Sequence, residues 1–198
     1  MDRHSIGIIV GSLRKESLNR KVALAMCGAA SDKLECRIIE IGDLPLFDQD
    51  LEESPPEQWL RFRGQVAAVD GILFVTPEYN RTIPGALKNA IDVGSRPYGQ
   101  SVWERKPAAI VSASPGAIGG FGANHNLRQA CVFLDMPVMQ QPEAYLSHVS
   151  DKSFGEDGSL AEGPLRALID KIAVAFADWV HLIHCARASL ARDSAHSN

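Results

Sequence analysis

The stretch Ser5-Ile6-Gly7-Ile8-Ile9-Val10, followed at once by Gly11-Ser12-Leu13-Arg14-Lys15-Glu16-Ser17-Leu18-Asn19-Arg20, decides the fold class. Its first six residues form an apolar, β-rich run of strand length that stops at a glycine. The polar residues that follow include Ser17, a residue type that caps helices. Leu18, Val22, Ala25, Met26 and Ala29 then recur at helical spacing. Strand, loop and helix in that order start a unit in which a helix returns the chain to a parallel strand.

Working outward, the same alternation repeats. Glu35 to Ile41 reads as a strand, Gly42 to Pro56 as a proline-rich loop, Glu57 to Ala68 as a helix and Gly71 to Thr76 as a strand. A helix opens at Pro84, where proline suits the first turn, and shows Leu87, Ala90, Ile91 and Gly94 on one face. Ala108 to Ser114 is expected as a strand, Asn124 to Leu134 as a helix and Met136 to Gln140 as a short fifth strand. A long helix from Gly163 to about Ala188 carries the stripe Leu165, Leu168, Ile169, Ile172, Phe176, Trp179, Val180 and Ile183. Five strands joined by helices give an α/β chain, a three-layer α/β/α sandwich around a five-stranded parallel sheet. The flavodoxin-like strand order 2-1-3-4-5 is the natural one for such a chain. No linker divides it, so residues 1–198 read as a single domain, with a frayed tail over about 189–198.

Composition narrows the functions. The chain has 198 residues, 45% hydrophobic and 22% charged, with 20 Lys and Arg against 24 Asp and Glu. That balance of −4 supplies no overall positive field for nucleic acid or anionic membranes. Cys27, Cys36, Cys131 and Cys185 lie at irregular spacings, without the paired pattern of structural zinc, and read as thiols in a reducing compartment. No run reaches the roughly 18 apolar residues that a spanning helix requires. The N-terminal residues also lack a signal-peptide core. A soluble, cytoplasmic protein is expected.

In an open parallel sheet, ligands bind beyond the carboxyl ends of the strands where the order reverses. Here that point lies among the loops after strands one, three and four. In the first, backbone amides at the helix start, the side chains of Ser12, Ser17 and Asn19 and the guanidinium of Arg14 suit a terminal phosphomonoester. The loop contains neither G-x-G-x-x-G nor the nucleotide-triphosphate loop G-x-x-x-x-G-K-[ST]. Plain helix capping by Ser17 or Asn19 beside a solvated Arg14 would also account for these residue types. The second loop, Thr76-Pro77-Glu78-Tyr79-Asn80-Arg81-Thr82-Ile83-Pro84-Gly85, is a rigid segment able to lie against a planar ring, or a turn whose tyrosine covers the core. The third, Ser112 to Gly122, spends four glycines after Ser114-Pro115, which permits close backbone approach to a ligand.

These residues resemble the flavodoxin-like NAD(P)H-dependent FMN reductases, which include bacterial quinone, chromate and azo-dye reductases. The resemblance spans about residues 5–145. It rests on Gly11 to Arg20, on Pro77-Glu78-Tyr79-Asn80 with Pro84-Gly85-Ala86-Leu87-Lys88-Asn89-Ala90-Ile91-Asp92, and on Ser114-Pro115-Gly116 with Gly119-Gly120 and Leu127-Arg128-Gln129. It implies that Ser12, Arg14, Ser17, Leu18 and Asn19 hold the FMN phosphate, and that Pro77, Glu78, Tyr79, Asn80, Ser114 and Gly116 line the isoalloxazine. It also implies transient NADH or NADPH, and a quinone as acceptor, with chromate, azo compounds and free flavin as further acceptors. Self-association is implied as well, as a homodimer through the helix from Pro84 and residues near Gly94 to Trp103, or as a homotetramer. The tetramer network of the relatives joins an arginine and a tyrosine to the glutamate of a Pro-Glu dipeptide. Pro142-Glu143 matches that dipeptide, but Gly122 and His125 stand at the other two positions.

Other readings compete. A flavodoxin-type electron carrier would use the same cofactor without a substrate of its own, but such chains are shorter and more acidic. His181 and His184 beside Cys185 are expected on a solvated helix face rather than around a metal. Ser12 and Ser114 lack the elbow of a hydrolytic nucleophile. Glu78 is given no catalytic role, because flavin chemistry is done by the cofactor. Arg81 is a candidate contact for an anionic oxidant or for the phosphates of the nicotinamide donor.

Overall fold

The computed structural model describes residues 3–196. Its elements are β1 (His4–Val10), α1 (Leu18–Ala29), β2 (Leu34–Ile38), α2 (Glu57–Ala67), β3 (Gly71–Thr76), α3 (Gly85–Ser95), β4 (Ala108–Ala113), α4 (Phe121–Phe133), β5 (Tyr145–Leu146) and α5 (Pro164–His196), with short 3-10 turns at Gln49–Leu51 and Asp151–Ser153. The sheet is parallel throughout in the order β2-β1-β3-β4-β5.

Alternation of side chains along the central strands builds two cores. Ile6, Ile8 and Val10 with Leu73 and Val75 face α1 and α5, where Val22, Met26, Ile172 and Phe176 meet them. Ile9, Ile72, Phe74 and Ile110 face α2, α3 and α4, against Phe62, Leu87 and Leu127. Both faces of β3 and β4 are fully buried, which is why these strands read as continuous apolar runs.

The structure departs from the sequence reading at the far edge. Only Tyr145–Leu146 forms the fifth strand, pairing with Ser112 and Ala113. Within Met136 to Gln140, Val138 makes a single bridge to Ala108. Pro137 and Pro142 each lack the N–H that a ladder needs, and the chain leaves the sheet between these two contacts. Helix α4 begins at Phe121 rather than Asn124, and β2 ends at Ile38 rather than Ile41. Strand β4 ends at Ala113 rather than Ser114. Helix α5 continues past Ala188 to His196 through the segment expected to fray. Met1, Asp2 and residues 197–198 lie outside the described residues.

His181 is exposed, as expected, and lies 3.4 Å from His4, whereas His184, expected on the same solvated face, is half-buried and docks α5 on β1. Nε2 of His184 lies 3.0 Å from the Asp70 carbonyl, and the His4 and His184 rings stack at 5.0 Å. Burial and then the neighbouring His184 hold the His4 pKa below its ordinary value. All four cysteines are free, and burial pushes the Cys131 thiol up to about 12.

Trp103 seals the second core beneath α3. Its indole N–H donates to the Ile91 carbonyl at 3.0 Å, and a Cβ at Gly94 would lie inside the indole. Gly94→Ala should therefore lower stability by about 1–3 kcal/mol, the usual range for overpacking, read as a lower urea midpoint; an unchanged midpoint contradicts this packing.

Candidate functional site

Gly11 donates its N–H to the Val75 carbonyl, and Val10 pairs with Val75 while Thr76 pairs with Ser112. The loops after β1, β3 and β4 therefore leave the sheet at one level, side by side. A Cβ at Gly11 would sit 2.6 Å from Thr76 Oγ1, so only glycine lets the first loop cross the end of β3 this closely.

In the first loop, Ser17 is the N-cap of α1 and its hydroxyl accepts the Arg20 N–H at 3.2 Å. Ser12 Oγ accepts the Arg14 N–H at 3.4 Å, and Arg14 is exposed. Ser17 thus caps α1. No acidic residue stands in the first turn to neutralise the helix N-terminus, which leaves its positive end open to an anion. Asn19 is buried and donates from Nδ2 to the Ala113 carbonyl at 3.3 Å, while its Oδ1 has no partner. A buried acceptor without a donor is costly in a closed protein. A cavity of about 460 Å³ opens beside this loop toward β2, lined by Ser12, Arg14, Lys15 and by Arg20, which is paired with Glu40 at 2.8 Å.

The second loop folds back on itself through mutual backbone bonds of Tyr79 and Thr82, with Asn80 and Arg81 in the left-handed region. Tyr79, Asn80 and Arg81 are exposed and Pro77 is half-buried. Glu78 is held differently from its neighbours: Oε2 accepts the Ala123 N–H of α4 at 3.1 Å, and Oε1 accepts Arg81 Nη1 at 3.1 Å. Its carboxylate is thus committed to the protein, and Arg81, expected as a contact for an anionic oxidant or donor, is paired with it while staying exposed. In the third loop Ser114 Oγ accepts the Gly116 N–H at 3.0 Å, and the left-handed Gly119 and Gly120 lead into α4.

Several residues support the loops through roles that motif reading did not indicate, although Asn89 and Arg128 stand within the quoted motifs. Asn124 is fully buried and donates to the Ile110 carbonyl, while Arg128 joins its Oδ1 to the Met139 carbonyl, pinning α4 to β4 and the edge segment. Asn89 holds the proline-rich loop against α3 by accepting the Phe47 N–H and donating to the Leu44 and Pro45 carbonyls. Side-chain amides buried in helices were the available signal, since such groups require partners.

At the sheet edge the structure brings Glu143 to a tyrosine that sequence comparison did not indicate. Tyr145 donates to Glu143 Oε1 at 3.1 Å and lies 2.7 Å from His125 Nε2, with the Phe121 ring tilted against His125 at a centroid distance of 4.2 Å. A cavity of about 380 Å³ beside them is lined by Ala117, Ile118, Phe121 and Tyr145. Burial, followed by the Glu143 contact, raises the Tyr145 pKa above the ordinary tyrosine value. The folded chain therefore keeps this proton to higher pH than the unfolded chain. The associated stability is complete below the ordinary tyrosine range and is lost as pH rises through the raised value. Ultraviolet titration should show one of the three tyrosines ionising late, and Tyr145→Phe should remove that late step; three steps coinciding at the ordinary tyrosine pKa would contradict this contact.

Among the described residues no group of three or more His, Cys, Asp or Glu is arranged to hold a metal ion, and no helix is long and apolar enough to cross a membrane. A family model described as NADPH-dependent FMN reductase matches residues 4–151. The chain is 58% identical over 180 residues to a quinone reductase of Pseudomonas putida, covering 90% of this chain and 96% of the relative. It is 42% identical over 175 residues to a 2-hydroxy-1,4-benzoquinone reductase of a Burkholderia species, covering 88% and 95%. The solved structure of FerB, a flavoenzyme NAD(P)H:(acceptor) oxidoreductase from Paracoccus denitrificans, superposes with a TM-score of 0.85 at 38% identity, over 90% of this chain and 97% of that one. The three loops, their order on the sheet and these matches together place the chain in the NADPH-dependent FMN reductase family.

Proposed function

We propose that the protein is a quinone reductase that works through bound FMN with NADH or NADPH as donor. The observation that carries this reading is that the loops after β1, β3 and β4 start side by side at one edge of the sheet, where Asn19, its Oδ1 unpaired, bonds to the end of β4. Quinones as acceptors are supported by the relatives that act on them. When bound, FMN supplies the redox chemistry, taking a hydride from the nicotinamide donor and passing two electrons to the acceptor in a ping-pong exchange.

The chain's own residues bind and orient. The open N-terminus of α1, the hydroxyls of Ser12 and Ser17, the backbone of Leu18 and Asn19 and the exposed guanidinium of Arg14 form the phosphate cradle. Asn19 Oδ1 offers an acceptor to a cofactor hydroxyl or amide. Pro77, Tyr79 and Asn80 on one side, with Ser114 and Gly116 on the other, form the walls for a planar ring. Glu78 stands behind the first wall. Arg81 lies at the mouth, and its pairing with Glu78 fixes where its charge is presented to an anionic donor or acceptor.

The protein is further proposed to act as a homodimer through α3 and residues 94–103. A cavity of about 830 Å³ lies there, lined by Phe47, Ile91, Tyr98, Phe133 and Leu134, with Tyr98 90% and Phe133 88% exposed. Large aromatic side chains left this open commonly mark an interface. Because Glu143 bonds to Tyr145 of its own chain, this face rather than the sheet edge is assigned to self-association. Light scattering should give twice the 21.5 kDa chain mass, and a monomer contradicts the dimer.

Arg14→Ala should weaken FMN binding by about 1.5–3 kcal/mol, the contribution of a charge-assisted hydrogen bond, or roughly ten- to hundredfold in Kd. Fluorescence titration of FMN reads this directly, and an unchanged affinity removes Arg14 from the cradle.

A further inference from the structure

Helix α4 starts without a cap of its own. Its N-cap is Gly120, left-handed at φ 76° and without a side chain, and no acidic residue lies in its first turn. The first amides of a helix need acceptors, and here one is supplied from another loop, 45 residues earlier in the chain, by Glu78. The approach is close: a Cβ at Gly122 would meet Glu78 Oε2 at 2.9 Å and the Arg81 carbonyl at 2.8 Å. Glycine at 122 is what lets the carboxylate reach the helix. The Glu78 side chain is 11% exposed while its partner Arg81 is 76% exposed, so the inner contact is shielded and the outer one is wet. A second link, from Thr82 Oγ1 to Asn126 Oδ1 at 2.7 Å, joins the same loop to the next turn of α4.

We propose that Glu78 is a positioning residue whose carboxylate caps α4 across the cleft, fixing the spacing of the two ring-facing loops and setting the charge beside the ring. This rests on the flavin reading above and deepens it. The spacing follows from geometry: the loop after β3 carries Pro77 to Asn80, the loop after β4 carries Ser114 and Gly116, and Glu78 is bonded to both its own loop and the helix that the other loop feeds. The charge follows from electrostatics. The positive end of α4 would favour electrons on a neighbouring ring, and a carboxylate placed on that end offsets it. Arg81 offsets part of the carboxylate in turn, but from an exposed position where solvent screens it. The carboxylate therefore makes the ring harder to reduce than the bare helix end would.

The test compares Glu78→Ala and Glu78→Gln with the parent protein through two readouts. The first needs no cofactor: amide hydrogen exchange of the peptide spanning Phe121 to Asn126. Glu78→Ala should speed it roughly two- to thirtyfold, the equivalent of losing one cap, while Glu78→Gln, which keeps an acceptor oxygen, should restore slow exchange. The second is the flavin midpoint potential of the FMN-loaded dimer. It should move to more positive values in both variants, because both remove the negative charge, and the rescue by glutamine should be absent here. Exchange in Glu78→Ala equal to the parent's overturns the cap, and a potential unmoved in Glu78→Gln overturns the electrostatic role. Altered exchange in a protein whose parent takes up no FMN shows instead that the cofactor reading has failed and overturns the flavin role with it.

Discussion

A parallel sheet sends every strand's carboxyl end to the same edge, and the β2-β1-β3-β4-β5 order makes β3 the strand on which this protein depends. It is paired on both sides, buried on both faces, and level with β1 and β4 at its end. Three loops that are distant in sequence thus start side by side. The close contact between Gly11 and Thr76 is the local form of the constraint. Without it the three loops would not share a floor.

What then holds the site is a set of polar bonds between loops and helix ends. Asn19 ties α1 to the end of β4, Asn124 ties α4 to β4, and Glu78 ties the second loop to α4. Each places a hydrogen-bonding side chain where the backbone has left a group unpaired, which is the general solution for polar groups in a core. Asn19 is the exception among these three, with its Oδ1 unmet.

Most of the fold was legible because β1, β3 and β4 are runs of Ile, Val, Leu and Phe bounded by glycine or proline, and because α5 keeps its apolar period over many turns. The fifth strand was misplaced because Met136 to Gln140 is apolar yet contains a proline, whereas the true strand is two residues long and has no period to read. The start of α4 was late by one turn because Gly122 breaks the helical pattern; its presence is explained by Glu78, a partner in another loop. The positions of the site loops were legible from their composition, but the task of each side chain was not. That Glu78 turns to a helix end, that Tyr145 meets His125, and that His4 stacks on His184 are long-range facts with no local trace in sequence.

That the three loops form a working flavin site can be tested with the anaerobic visible spectrum of the FMN-loaded protein. Its flavin bands should bleach on addition of NADH or NADPH and return when a benzoquinone is added. A protein that cannot be loaded with FMN, or one whose bound flavin is bleached by neither donor, would contradict it.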